Sequence, residues 1–232
     1  MSLLECRGLS CSRRCAPRGG PILEQVSMEL EVGELVALWG GRRSGKSTLL
    51  RILAGVERAD QGEVLLEGRP LAGHPARSQV VLCRELSLAT PVADVCSLLV
   101  SDLMAFGLRQ DRAEQLATRA LAQADAGEIG ALSICELSAE QRLRAMVARA
   151  LLCAPKVLLL DEPLLGLPGL RQEAALGLLD ALAGRGMGVL FATAESDAFA
   201  TTVGRTLILD RGQLRGQTAP AMAEVLELRR PA

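Results

Sequence analysis

The chain has 232 residues, 49% of them apolar, with 26 basic against 27 acidic side chains and a net charge of -1. That is room for one large domain or two small ones around a full core, and the near-neutral balance excludes a global field that draws the protein to nucleic acid or an acidic membrane. Aromatic residues are 2%, with no tyrosine, three phenylalanines and one tryptophan, Trp39, which excludes base-stacking platforms.

In chain order, SMELEV (27–32) alternates, with Met28, Leu30 and Val32 on one face and Glu29 and Glu31 on the other, which predicts a half-exposed strand. LVALWG (35–40) is a continuous apolar run, the pattern of a strand covered on both faces. A helix is expected over 46–55, then a short strand in GEVLLEG (62–68) between glycines. Helical stretches follow at about 92–106, 112–125 and 140–153. VLLLDEP (157–163) is a second buried strand, a helix is expected over 170–184, and MGVLFATA (187–194) is a third buried strand. TLILDRGQL (206–214) reads as strand, turn, strand. Buried strands alternating with helices predict an α/β fold with a parallel sheet. The alternating strands at the front add a small antiparallel flank. Residues from about 84 to 140, nearly all helical, are an insertion into that core.

No apolar stretch reaches membrane-spanning length. The best candidate, PVADVCSLLVSDLMAFGL, carries Asp94 and Asp102 and reads as a buried or groove-facing helix. MSLLECRGLS has no basic-then-apolar signal, so the chain is expected to stay on the side of the membrane where it is made. Of seven cysteines, Cys83, Cys96, Cys135 and Cys153 are expected as small core residues in a reducing compartment. Cys6, Cys11 and Cys15 match no common zinc spacing and read as ordinary thiols. His74, the one histidine, sits in a turn-rich stretch and reads as a loop residue.

After the first buried strand comes GGRRSGKST. Gly40, four residues, then Gly45, Lys46 and Ser47 satisfy G-x-x-x-x-G-K-[ST], here with strand before and helix after. In such a loop the backbone N–H groups of Gly40, Gly41, Arg42, Arg43, Ser44 and Gly45 curl around a phosphate chain. Lys46 reaches the β and γ phosphates, Ser47 holds Mg²⁺, and Thr48 follows in a helix start that favours anions. VLLLDE brings Asp161 to the end of a buried strand, placed to orient Mg²⁺, and Glu162 next to it, placed to take a proton from an attacking water. A third segment, LSAEQ (137–141), opens the run RLRAMVARALL. It fits a capping box, Ser138 as N-cap with Gln141 three residues on. It also fits a helix start facing a phosphate, with the Glu140 carboxylate in the way.

Together with LSAEQRLRAMVARALLCAPKVLLLDEP, the lead-in ILEQVSMELEVGELVALWG, the pair QGEVLLEGRPL and the close LILDRGQL, these motifs resemble the nucleotide-binding subunit of an ABC transporter over nearly the whole chain. The resemblance implies a P-loop NTPase (RecA-like) core, 1–83 and 150–232, with a helical subdomain at about 84–149, all in one nucleotide-binding domain over 1–232. It implies ATP and Mg²⁺ as cofactors, with Ser138 and Gln141 of the signature joining the phosphate-loop residues and Asp161 at the nucleotide, and Glu162 as the catalytic base. It further implies a head-to-tail pairing with a second nucleotide-binding subunit, separate transmembrane subunits, no nucleic-acid partner, and a peripheral place on the cytoplasmic side of the cell membrane.

The departures from the family pattern are many. Ala139 and Glu140 replace the two signature glycines; two like charges 4 Å apart at an effective dielectric near 20 repel by on the order of 4 kcal/mol. Arg42 or Arg43 of an opposing subunit are candidates to offset Glu140. Arg84 stands where a Mg²⁺-contacting Gln is usual, and an arginine is donor-only. Ala194 replaces the γ-phosphate His, Pro168 the usual Asp after Glu162, and Arg13 the adenine-stacking aromatic. The expectation is therefore an ATP-binding subunit with weak or partner-dependent hydrolysis, the degenerate half of an asymmetric complex. The alternatives are a slow symmetric homodimer and a non-transport ATP-dependent clamp.

Overall fold

The computed structural model describes residues 2–12, 21–74, 79–83, 94–194 and 203–218. Arg13, Cys15 and Arg84 lie outside the described residues. The chain opens with two long antiparallel strands, β1 (Ser2–Ser12) and β2 (Pro21–Glu31). They are followed by β3 (Leu35–Trp39), α1 (Lys46–Leu53), β4 (Gln61–Leu66), β5 (Arg69–Pro70) and β6 (Val80–Cys83). The helices α2 (Val95–Ala105), α3 (Gln110–Gln123) and α4 (Ala139–Leu151) come next. The chain then alternates through β7 (Val157–Asp161), α5 (Gly169–Ala183) and β8 (Gly188–Thr193) to the hairpin β9 (Arg205–Asp210) and β10 (Gln213–Thr218).

Two sheets result. The larger has the order β10-β9-β3-β8-β7-β6, parallel from β9 through β6, with β10 antiparallel at one edge. The smaller, β2-β1-β4-β5, is antiparallel throughout. The expected parallel core with an antiparallel flank is what forms.

The parallel strands are apolar on both faces because both are covered. Val36, Leu38, Leu159, Leu190, Ala192 and Leu207 face α1 and the inner side of the antiparallel sheet. Leu35, Ala37, Leu158, Leu160, Val189 and Phe191 face the helical side, where α2 to α5 contribute Leu98, Leu99, Leu121, Leu143, Leu176 and Leu179. The period-2 alternation of one strand thus feeds two cores. Burying each leucine contributes roughly 1.5–3 kcal/mol, an upper estimate of what offsets chain entropy.

Some sequence readings shift. β1 and β6 are strands that the alternation does not reveal: β1 is bulged between Cys6 and Leu9, which breaks its period, and β6 is only 4 residues long. Val32 lies past the end of β2 and is 59% exposed rather than on the inner face with Met28 and Leu30. Cys135 and Cys153, expected in the core, are exposed, and Cys96 is half-buried. The helix expected over 112–125 starts earlier, at Gln110, since Arg109 is extended and Asp111 favours the first turn.

Candidate functional site

The loop between β3 and α1 is set by close backbone packing. The Gly40 N–H donates to the Thr193 carbonyl at 3.2 Å, and the Gly212 N–H to the Ser44 carbonyl at 3.0 Å. A Cβ at Gly40 would run into the Leu209 carbonyl oxygen and the Ser44 hydroxyl. Gly45 has φ 108, and its Cβ would stand 2.8 Å from the Ile22 carbonyl oxygen. The loop therefore requires glycine at both ends. Between them Arg42 and Arg43 are exposed, and Arg43 is held at φ 65.

Lys46 opens α1 and is only 6% exposed. An ammonium has three protons to place, and a buried charge is costly unless they are placed. Here its Nζ donates to the carbonyl oxygens of Gly40 at 2.7 Å and Gly41 at 3.1 Å, and lies 3.3 Å from Glu162 Oε1. α1 has no side-chain cap and no acidic residue in its first turn. Its leading N–H groups, which no helix can satisfy internally, point into the loop as a positive end. The Ser44 hydroxyl is buried there with no hydrogen-bond partner. Thr48, buried in the first turn, accepts from Arg51 Nη2 at 3.3 Å and is thereby turned to structural use.

β7 carries Asp161, exposed, to the same edge of the sheet, and Glu162 follows at φ 50. Such a backbone persists only when its surroundings over-determine it. They do: the Glu162 N–H donates to the Ala192 carbonyl at 2.9 Å, its Oε2 accepts from the Ala194 N–H at 3.0 Å, and its Oε1 faces Lys46. Ala194 thus contributes through its backbone, a role that its side chain does not reveal. Lys46 joins the loop to Glu162 at the end of β7, and Asp161 directly precedes Glu162 on that strand. Ser47 and Asp161 supply a half-buried hydroxyl and an exposed carboxylate at one edge, oxygen donors of the kind a hard divalent cation takes.

Ser138 and Gln141 lie at the start of α4, and among the described residues no hydrogen bond joins them to the phosphate loop. They form the capping box: the Ser138 N–H donates to Gln141 Oε1 at 2.9 Å and the Gln141 N–H to Ser138 Oγ at 3.3 Å. Glu140 is 19% exposed and accepts from Arg144 Nη2 at 2.8 Å, with Arg171 Nε at 3.7 Å from its other oxygen. Within its own chain, Arg144 and Arg171 are the cations that face it. The Glu140–Arg144 contact is an i,i+4 pair that spacing alone could have indicated; Arg171, on α5, had no local signal. Pro168, in the place of an Asp, is the N-cap of α5, its carbonyl accepting from the Arg171 and Gln172 N–H groups at 2.8 and 3.0 Å.

A groove of about 380 Å³ opens between β6, the end of α2 and α4, lined by Cys83, Leu103, Phe106, Met146 and Cys153. Arg149 makes a bidentate pair with Asp102 on its wall, 2.6 and 3.2 Å, and Phe106 at its rim is 80% exposed. Of the α2 segment, Val95, Leu98, Leu99 and Leu103 are internal core, while Met104 and Phe106 face out. Burial pushes the thiols of Cys6 and Cys83 up to about 12. Among the described residues no helix is long and apolar enough to cross a membrane.

The family profile described as ABC transporter matches residues 23–165. The chain is 32% identical over 210 residues to the hemin import ATP-binding protein HmuV of Hahella chejuensis, spanning 86% of this chain and 81% of that one. It is 34% identical over 217 residues to the putrescine transport ATP-binding protein PotG of Escherichia coli, spanning 91% of this chain but 55% of the relative, about half its length. In fold it is similar to the ADP conformation of MJ1267, an ATP-binding cassette of an ABC transporter, with TM-score 0.84, 19% identity and coverage of 98% and 94%.

Proposed function

The chain belongs to the ABC transporter family of ATP-binding proteins, and from that premise we propose that it binds ATP with Mg²⁺ in the loop from Gly40 to Thr48 and drives a separate transmembrane subunit. It serves as the degenerate member of an asymmetric pair of nucleotide-binding chains, with weak hydrolysis of its own. It sits peripherally on the cytoplasmic side of the membrane, and residues from about 84 to 149 act as its helical subdomain. The observation that carries this reading is the contrast between two helix starts. That of α1 is uncapped and offers its N–H groups beside a buried lysine, while that of α4 is capped and occupied by its own glutamate.

The chain's own residues suggest the order of events. Lys46 exchanges the Gly40 and Gly41 carbonyls for phosphate oxygens, which are stronger, charge-assisted partners. That exchange frees Glu162 Oε1 while the Ala194 N–H keeps Oε2 in place. The freed oxygen is then in position to accept a proton from water as the water oxygen bonds to the terminal phosphorus and ADP leaves with the electron pair of the broken bond. Mg²⁺, held by Ser47 and Asp161, supplies charge screening for the phosphates when bound. The groove with Phe106 at its rim is the docking place for a short helix of the transmembrane subunit.

Purification of the tagged chain from its native membrane in mild detergent, with mass-spectrometric stoichiometry, tests the reading. A co-purifying second nucleotide-binding chain with an intact signature is expected. Two copies of this chain alone with the membrane subunits, at whatever rate they turn over ATP, would overturn the asymmetric assignment.

A further inference from the structure

Glu140 does not stand as a bare carboxylate. Arg144 holds one oxygen at 2.8 Å and Arg171 approaches the other at 3.7 Å. Arg144 is itself fixed, donating to the Asp125 carbonyl oxygen at 2.7 Å and facing the carboxylates of Asp125 at 3.1 Å and Glu128 at 3.5 Å. The network joins three segments: the turn before residue 130, the first turn of α4, and the first turn of α5. α4 precedes β7 and α5 follows it, so both helix starts lie at the carboxyl edge of the sheet, the edge that carries the phosphate loop and Glu162. The two capping-box bonds use the Ser138 and Gln141 N–H groups within the chain.

We propose that Glu140 is a built-in counter-anion that closes the start of α4 to the terminal phosphate of a nucleotide held by a facing chain, with Arg144 and Arg171 as the positioning residues that keep it there. The inference rests on the ATP-binding reading above and names what limits pairing over that nucleotide. Two guanidinium groups beside a helix N-terminus make a positive spot, and Glu140 fills it. Its loss therefore does more than relieve repulsion, because it takes from Arg171 the carboxylate it faces and leaves Arg144 to Asp125 and Glu128 alone. Glutamine, equal in size and uncharged, separates closure by charge from closure by bulk.

The test uses the full chain with the non-hydrolysable analogue AMP-PNP and Mg²⁺, following self-association by sedimentation equilibrium. Wild type is expected to associate weakly. Both Glu140→Gln and Glu140→Ala should tighten AMP-PNP-dependent association by about tenfold or more, and adding Arg171→Ala to Glu140→Gln should remove most of that gain. A purely structural role would lower the melting temperature and leave association unmoved. The inference is overturned if folded E140Q binds AMP-PNP as wild type does and associates no more tightly, whether or not E140A gains, since a gain by alanine alone means bulk. If wild type does not bind AMP-PNP at all, the ATP-binding reading falls and this inference with it. Separate binding measurements distinguish the two failures.

Discussion

Lys46 and Glu162 face each other across the phosphate loop, Nζ to Oε1 at 3.3 Å, with the lysine 6% and the glutamate 29% exposed. The pair joins the two halves of the site, the loop after β3 and the end of β7, before any ligand arrives. The lysine is poised by groups weaker than those it would meet on a phosphate chain.

Replacing Lys46 by alanine should weaken ATP binding by about 100-fold or more, since two charge-assisted hydrogen bonds at about 1.5 kcal/mol each are lost. Isothermal titration calorimetry measures it directly. An unchanged affinity would remove the loop from Gly40 to Thr48 from consideration as the nucleotide site.

Glu162→Gln keeps the side chain's length and its acceptor for the Ala194 N–H. It removes the proton acceptor and the charge that holds Lys46. Single-turnover hydrolysis should slow by roughly 10²- to 10⁴-fold, while ATP affinity stays equal or rises. Equal rates for glutamine and glutamate would show that another group takes the proton.

Gly40 and Gly41 are neighbours in sequence but not in tolerance. Alanine at Gly40 collides with the Leu209 carbonyl and Ser44, whereas around a Cβ at Gly41 there is nothing within 4 Å. Gly40→Ala should cost about 1–3 kcal/mol of stability and lose nucleotide binding, and Gly41→Ala should melt like wild type. Thermal unfolding of both variants followed by circular dichroism decides it.

The buried thiols make stability fall at alkaline pH. Cys6 and Cys83 are raised from the usual value near 9 to about 12 by desolvation. Between those values the unfolded chain has lost the thiol protons and the folded chain has not, so unfolding is favoured as pH rises. The slope is about 1.4 kcal/mol per pH unit for each thiol. Urea titrations from pH 8 to 11 should show it, and Cys6→Ala with Cys83→Ala should flatten the slope. At pH 8, thiol labelling mapped by peptide mass should reach the exposed Cys135 and Cys153 well ahead of Cys6 and Cys83.

Phe106, 80% exposed at the groove, is a candidate anchor for the transmembrane subunit. Phe106→Ala should leave the melting temperature unchanged and reduce co-purification of membrane subunits, by about 2 kcal/mol of affinity if it is a hot spot. Retained stoichiometry would move the docking place elsewhere.

The sequence disclosed those parts of the site that depend on local order. Gly40, Gly45, Lys46, Asp161 and Glu162 are legible because a loop, a helix start and a strand end each carry their own chemistry. The buried runs of β3, β7 and β8 are legible because both faces are covered. β6, with 4 residues, gave no period to read, and the bulges of β1 erased its own. Long-range pairs stay hidden for a different reason. Arg171 with Glu140, and Arg149 with Asp102, meet only once helices from separate stretches pack, and no spacing rule reaches across 31 or 47 positions. The backbone contribution of Ala194 is invisible because it does not depend on the side chain.

Trp39 ends β3, directly before Gly40, and its indole N–H is buried without a hydrogen-bond partner. With no tyrosine in the chain, its ultraviolet emission comes from this single ring. Emission colour follows the polarity around an indole, so the fluorescence of the native protein reports on the end of β3, where this ring packs against the helical-side core next to the phosphate loop in sequence. The molecule carries its own optical gauge of that junction, readable in unlabelled protein.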